Sequence, residues 1–243
     1  MIQPALTRDT LFDGRLTCLQ HREGYRFAVD AVLLAHFVAP KVGERLLELC
    51  AGNGVVSLIL AYRWPQLALT SLELQPQLAG LCRSNVVLNR YAERITVIEG
   101  DCRMVTDHVA AGRFDWVVMN PPYRKLASGR RNPADEAALA RHELTLTLDE
   151  AVQAAAVALK SKGRAVLVYP AGRTAALLAT LKAHRLEPKR LQIVYSHPGE
   201  AGCLVLVEAV KNGGAELAIL PPFFICQAPG SEYTAAMAAL YAP

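Results

Sequence analysis

From Arg45 onward, short apolar runs alternate with longer amphipathic stretches. The runs Arg45–Cys50, Leu67–Leu72, Ile95–Ile98 and Phe114–Met119 are bounded by polar and turn residues, which predicts buried strands. Between them, apolar positions recur at helical spacing over Val55–Tyr62, over Pro76–Leu88 and, more weakly, over Met104–Ala110. A further helix is expected at Leu148–Leu159, then a strand at Gly163–Tyr169 and a helix at Arg173–His184. Such βαβ alternation marks a parallel sheet covered by helices on both faces.

The last two strand-like runs, Leu191–Ser196 and Cys203–Val210, are separated only by His197–Gly202. A parallel crossover needs a dozen or more residues, so this pair is expected to be antiparallel. The expected architecture is an α/β fold with a mostly parallel seven-stranded sheet and one antiparallel strand near its edge. Residues 1–44 read as an N-terminal lead-in, a hairpin and a helix, packed on the core. It holds a strand at Arg15–Gln20, a turn at His21–Gly24 and a helix carrying Val29, Val32, Leu33, His36 and Phe37, with Asp30 placed as a possible cap. Residues 45–210 form the core. Residues 211–243 are a tail with a turn at Lys211–Gly214, Pro221-Pro222 and a short helix over Tyr233–Leu240, all within one domain.

Composition narrows the class. Of 243 residues, 52% are hydrophobic and 20% charged, enough for a sizeable buried core. The net charge of +4 is compatible with a polyanionic partner and too small to demand one. Cysteines 18, 50, 82, 102, 203 and 226 form no CxxC pair and no Cys/His cluster, so neither a metal nor a disulfide framework is expected. The N-terminal residues lack a signal-peptide pattern, and no apolar run approaches the ~20 residues of a membrane span. The expectation is a soluble cytoplasmic protein.

The chemistry concentrates where strands end. In an open α/β sheet, ligands bind beyond the carboxyl ends of the strands. The strand Phe114–Met119 breaks off there in Asn120-Pro121-Pro122-Tyr123. Prolines stiffen the segment and leave carbonyls as acceptors, and the residue before a proline is held extended. A side-chain amide, a rigid carbonyl and an aromatic face then stand together, a set suited to a planar group bearing an exocyclic –NH₂. Asn-Pro is also an ordinary turn signal, and Tyr123 an ordinary core filler. Upstream, Glu48-Leu-Cys-Ala-Gly52-Asn-Gly54 follows the first core strand and opens a helix. Its glycines allow a tight turn and close backbone approach to a ligand. The string Gly52-x-Gly54-x-x-Ser57, with Glu73 beyond it, nearly fits a nicotinamide dinucleotide fingerprint but lacks the third glycine. Glu48 before the turn would repel a pyrophosphate and attract a cationic amino group. Glu73 is placed to accept from ribose hydroxyls, and Asp101 from an adenine amine. Singly, each carboxylate is an ordinary solvated strand-end charge. Four polar strand ends in series converge on one edge.

These ordered motifs resemble the class I S-adenosylmethionine-dependent methyltransferases, whose fold is Rossmann-like, over about residues 43–211. The NPPY form resembles their amino-methylating branch. Glu23–Ala35, Arg141-His142-Glu143 and Tyr233-Thr234 further resemble the bacterial adenine-N6 methyltransferases of valine tRNA, which act on the adenine 3′ of the anticodon. Val29 stands where that family usually has Ser or Thr. The resemblance implies S-adenosylmethionine as cofactor, held by Asp30, Glu48, Cys50, Gly52, Gly54, Glu73, Leu74, Asp101, Cys102 and Asn120. It implies catalysis by Asn120, Pro121, Pro122 and Tyr123, and an RNA substrate held by Tyr123, Arg124, Lys125, Arg130 and Arg131. It implies no metal and no membrane; the oligomeric state is not legible in the sequence, a monomer being slightly favoured. Glutamine-N5 methyltransferases of release factors carry the same tetrapeptide and remain an alternative. A nicotinamide oxidoreductase and a non-catalytic RNA-binding module are more remote ones.

Overall fold

The computed structural model describes residues 5–22, 26–122 and 146–242. Strands β1 (Leu6–Leu11) and β2 (Leu16–His21) pair antiparallel, and helix α1 (Val29–Phe37) follows. The core then runs β3 (Arg45–Leu49), α2 (Val55–Arg63), β4 (Ala68–Glu73), α3 (Pro76–Leu88), β5 (Ile95–Glu99), α4 (Val105–His108) and β6 (Phe114–Met119). It continues with α5 (Leu148–Ala158), β7 (Leu159–Pro170), α6 (Thr174–Ala183), β8 (Leu186–Tyr195) and β9 (Gly202–Lys211). The tail adds β10 (Ala218–Ile219), β11 (Phe223–Phe224) and α7 (Ala235–Ala239).

The main sheet has the order β10-β8-β9-β7-β6-β3-β4-β5, with β11 also on β8. Strands β3 to β7 are mutually parallel, and β9 runs antiparallel between β7 and β8. The expected seven strands with one reversed are therefore present. The tail widens the edge by two two-residue strands, too short to leave any periodicity in the sequence.

Side chains alternate across the sheet, as the two-residue period of a strand requires. Leu46, Trp116, Val118, Val166 and Val168 pack beneath α1 and α2 on one face. Leu47, Leu49, Val117, Met119 and Leu167 pack against α5 and α6 on the other. The lead-in also holds β1, joined to β2 by a turn between Leu11 and Leu16. Its partner β2 docks on α3 through two asparagines one helical turn apart. Asn85 takes the Leu19 N–H at 2.7 Å and gives to the Leu19 carbonyl at 2.9 Å; Asn89 does the same for Thr17 at 2.9 and 2.7 Å. The helix side chains thus substitute for a neighbouring strand on the free edge of β2.

Four local expectations are revised. The helix expected over Met104–Ala110 is a 3₁₀ turn at Cys102–Met104 followed by the single turn of α4. Strand β7 starts at Leu159, where α5 stops without a glycine or proline. Strand β8 starts at Leu186, earlier than its apolar run. Asp30 does not cap α1: the cap position is Ala28, with no side-chain hydrogen bond. In the tail, Thr234 caps α7, accepting from the Met237 N–H at 3.1 Å while giving to the Phe224 carbonyl at 2.7 Å. That cap seats Met237 in the core.

Candidate active site at the carboxyl edge of the sheet

Register brings the functional strand ends into line. Leu49 lies opposite both Leu72 and Met119, and Glu73 opposite Glu99. The residues that follow, Cys50, Leu74, Gly100-Asp101 and Asn120, therefore emerge side by side. Two backbone bonds extend the ladder past the strands, from the Ala51 N–H to the Leu72 carbonyl at 3.1 Å and from the Gly100 N–H to the Glu73 carbonyl at 2.9 Å.

The turn between β3 and α2 is built on left-handed residues: Cys50 at φ 58°, Gly52 at 56° and Gly54 at 83°. Glycine adopts this region at little cost. Gly54 is the cap of α2 and has no side chain with which to cap it. Glu48 performs that task from below. Its carboxyl accepts from the Ser57 N–H at 3.0 Å and from the Ser57 hydroxyl, which sits 2.8 Å from the Ser71 hydroxyl. The place of Glu48 before the turn suits a cationic ligand. Strand alternation instead turns it inward, onto the face of Leu46, where it is 3% exposed. Burial pushes this carboxyl up to about 8, only partly offset by its bonds to Ser57.

Glu73 is the last residue of β4 and is 5% exposed. One oxygen accepts from the Gly52 N–H at 2.8 Å and the other from the Gln75 N–H at 2.9 Å. Burial raises its carboxyl, and these bonds oppose the rise. Asp101 caps the 3₁₀ turn through the Arg103 N–H at 2.9 Å and receives the Arg103 guanidinium, with Nε at 3.0 and 2.9 Å from its two oxygens. That side-chain bond holds Asp101 below its usual range. The Asp101–Arg103 pairing was not foreseen.

Cys50 and Cys102 lie on the same edge, where the neighbouring Cys102 thiol and burial raise the Cys50 thiol. All six cysteines are free thiols. Leu74 is partly exposed and Met104 more so, two apolar side chains beside the carboxylates. Met104 carried no signal in the sequence beyond a generic helical position.

Asn120 ends β6, and its amide Nδ2–H donates to Asp30 Oδ2 at 3.0 Å. Ninety residues separate the partners, so spacing could not reveal the bond. Pro121 is buried and Pro122 exposed. Tyr123, Arg124, Lys125, Arg130, Arg131 and Arg141–Glu143 lie outside the described residues, as do Glu23–Tyr25. The tail brings Tyr233 and Tyr241 into a stacked pair, centroids 5.8 Å apart and 14° from parallel. Burial raises the Tyr241 hydroxyl, with Tyr233 and the Asp30 charge adding to the rise.

The Glu73 carboxylate, the exposed apolar side chains of Leu74 and Met104 and the Asn120 amide thus lie along one sheet edge beside the glycine turn. Among the described residues, no group of three His, Cys, Asp or Glu side chains could hold a metal ion, and no helix is long and apolar enough to cross a membrane.

Comparison with known proteins agrees with this chemistry. The methyltransferase small domain family matches residues 28–185. A tRNA1(Val) (adenine(37)-N6)-methyltransferase of Porphyromonas gingivalis strain ATCC 33277 is 30% identical over 189 residues, 75% of this chain and 73% of that protein. The protein of that name from Shewanella halifaxensis is 30% identical over 204 residues, 81% of this chain and 82% of its own. Among solved structures, a predicted O-methyltransferase of Agrobacterium tumefaciens superposes with a TM-score of 0.71, covering 87% of this chain and 95% of its own; at 24% identity it speaks for the fold alone. The chain belongs to the methyltransferase small domain family and is an S-adenosylmethionine-dependent methyltransferase.

Proposed function

We propose that the chain methylates the N6 amine of an adenine in RNA, the adenine 3′ of the anticodon of valine tRNA, acting in the cytoplasm. The observation that carries the reading is Asn120, held at the end of β6 on the same edge as the glycine turn and Glu73. The names of the relatives favour adenine 37 of a valine tRNA over a protein amide.

The residues present fit the cofactor. Glu73 offers two oxygens to a ribose diol, each already oriented by one backbone N–H. Leu74 and Met104 offer apolar surface to a purine, and Asp101 with Arg103 closes the polar side. Glu48 supports the turn from within, so its part is to hold the Cys50–Gly54 backbone in place. When bound, S-adenosylmethionine supplies an electrophilic methyl group on a sulfonium.

The chain's own residues then do the positioning, which is most of what such a transfer requires. An adenine amine is a poor nucleophile because its lone pair is delocalised into the ring. The Asn120 Oδ1 and the Pro121 carbonyl would accept its two protons, localising density on nitrogen. They would also face the positive charge that develops there. Tyr123 would stack on the extruded base, which costs less to unstack in a loop than in a duplex. Arg124, Lys125, Arg130 and Arg131 would contact phosphates.

The test is mass spectrometry of nucleosides from unmodified tRNA incubated with protein and donor. N6-methyladenosine should appear with the wild type and fall by orders of magnitude with Asn120→Ala, while donor affinity changes far less. Methylation of release-factor glutamine alone would overturn the RNA assignment.

A further inference from the structure

We propose that Asp30 is the positioning residue of this site: its carboxylate selects one orientation of the Asn120 amide and so aims the Asn120 carbonyl oxygen at the acceptor amine. The inference rests on the reading of Asn120 given above.

The two ends of an asparagine amide are nearly the same size, so packing alone barely distinguishes them. An ionised carboxylate accepts and does not donate. Facing Asn120, Asp30 can engage only the –NH₂ end, and it does so at 3.0 Å. The carbonyl oxygen then occupies the diverging arm. With the amide reversed, two donors would face each other across the acceptor site.

Asp30 is itself well held. Its other oxygen accepts from the Ala31 N–H at 2.8 Å, a donor that also reaches the Ala28 carbonyl at 3.2 Å. A negative charge near a helix N-terminus is favoured by the helix dipole. Helix α1 is anchored by Ala31, Val32, Leu33, Leu34 and Phe37, all buried. The selecting charge therefore stands on a rigid element, as precise placement demands. Charge-assisted bonds are also stronger than neutral ones and polarise the group they hold. Density pushed onto the Asn120 oxygen favours the transition state, in which the acceptor nitrogen becomes positive. Asp30 thus acts through Asn120, whereas the family resemblance had placed it on the cofactor.

The experiment compares wild type, Asp30→Ala and the isosteric Asp30→Asn. The first readout is the Asn120 side-chain –NH₂ resonance pair in a proton–nitrogen spectrum, assigned by its loss in Asn120→Ser. The wild type should show one proton displaced downfield by the carboxylate, and both variants should lose that displacement. The second is steady-state kinetics on tRNA, with S-adenosylhomocysteine affinity measured by calorimetry. Asp30→Ala should lower kcat roughly 10- to 100-fold, the loss expected for a bond to a charged partner, with KM and cofactor affinity within about twofold. Asp30→Asn should recover part of kcat, because its amide oxygen can still accept. Asn120 resonances indifferent to both variants, or a cofactor affinity that falls in step with kcat, would overturn the proposal. The spectrum needs no RNA, so it decides the contact even if the wild type methylates no adenine, a result that would instead sink the function proposed above.

Discussion

Replacing Glu48 with glutamine tests whether this carboxyl is a buried support or a ligand for a cation. Glu48 is 3% exposed and pushed up to about 8 from 4.5 by burial. A group raised in the folded state contributes stability that is full below its unfolded value and is lost as pH rises through its folded one. Between about 4.5 and 8 the folded chain holds a proton that the unfolded chain has released. Over that window, stability from this group falls by ~1.4 kcal/mol per pH unit, with about 5 kcal/mol as a ceiling for the whole span. His36 acts oppositely, lowered from 6.5 to about 4 by burial, then by the Arg63 charge. Its contribution rises with pH between those values and masks Glu48 in the wild-type curve. The difference between wild type and Glu48→Gln cancels His36 and isolates the carboxyl.

Glutamine keeps an acceptor for the Ser57 N–H but brings a second amide proton that must find a partner. At pH 5 the variant should therefore be less stable, by about 1–2 kcal/mol. The difference should reverse as pH rises and level off above about 8. Urea unfolding at half-unit steps from pH 5 to 8.5 reads it directly. A difference that stays flat would refute the buried, protonated carboxyl. Calorimetry with S-adenosylhomocysteine completes the test. A support role leaves affinity within about threefold, whereas loss of a direct ion pair would cost roughly 1.5–3 kcal/mol.

Gly54→Ala should destabilise through two separable causes. The φ of 83° costs a side-chain-bearing residue roughly 1–2 kcal/mol, and the new Cβ would lie 2.4 Å from Cys82 Sγ, adding about 1–3 kcal/mol of overpacking. Urea unfolding of Gly54→Ala/Cys82→Ala should recover only the second part, and full additivity of the two substitutions would argue against the clash. Glu73→Ala removes the acceptor of the Gly52 and Gln75 N–H groups along with the ribose site, so cofactor affinity should fall by roughly 1.5–3 kcal/mol in calorimetry. Unchanged affinity would remove Glu73 from the binding role.

Much of this fold is a local property of the chain and is legible there. The alternation of apolar runs and amphipathic stretches requires a covered parallel sheet, and six residues between the last long strands force the reversed one. Proline cannot continue a central strand, so Asn120-Pro121-Pro122 marks the end of β6 without any tertiary information. Elements with no local imprint were missed. Strands β10 and β11 are two residues each, and α5 passes into β7 at Ala158–Leu159 with no breaking residue. The polar partners were hidden for a different reason. Which acceptor meets which donor depends on contacts between segments far apart in sequence: Glu48 with Ser57 and Ser71, Asp30 with Asn120. Strand parity put Glu48 on the side of Leu46, but only a helix packed over that face makes the side an interior. The order of chemical groups along the sheet edge is thus written in the sequence. Whether a carboxylate there looks outward to a ligand or inward to the protein is settled by what covers it, because burial and hydrogen bonding decide its charge.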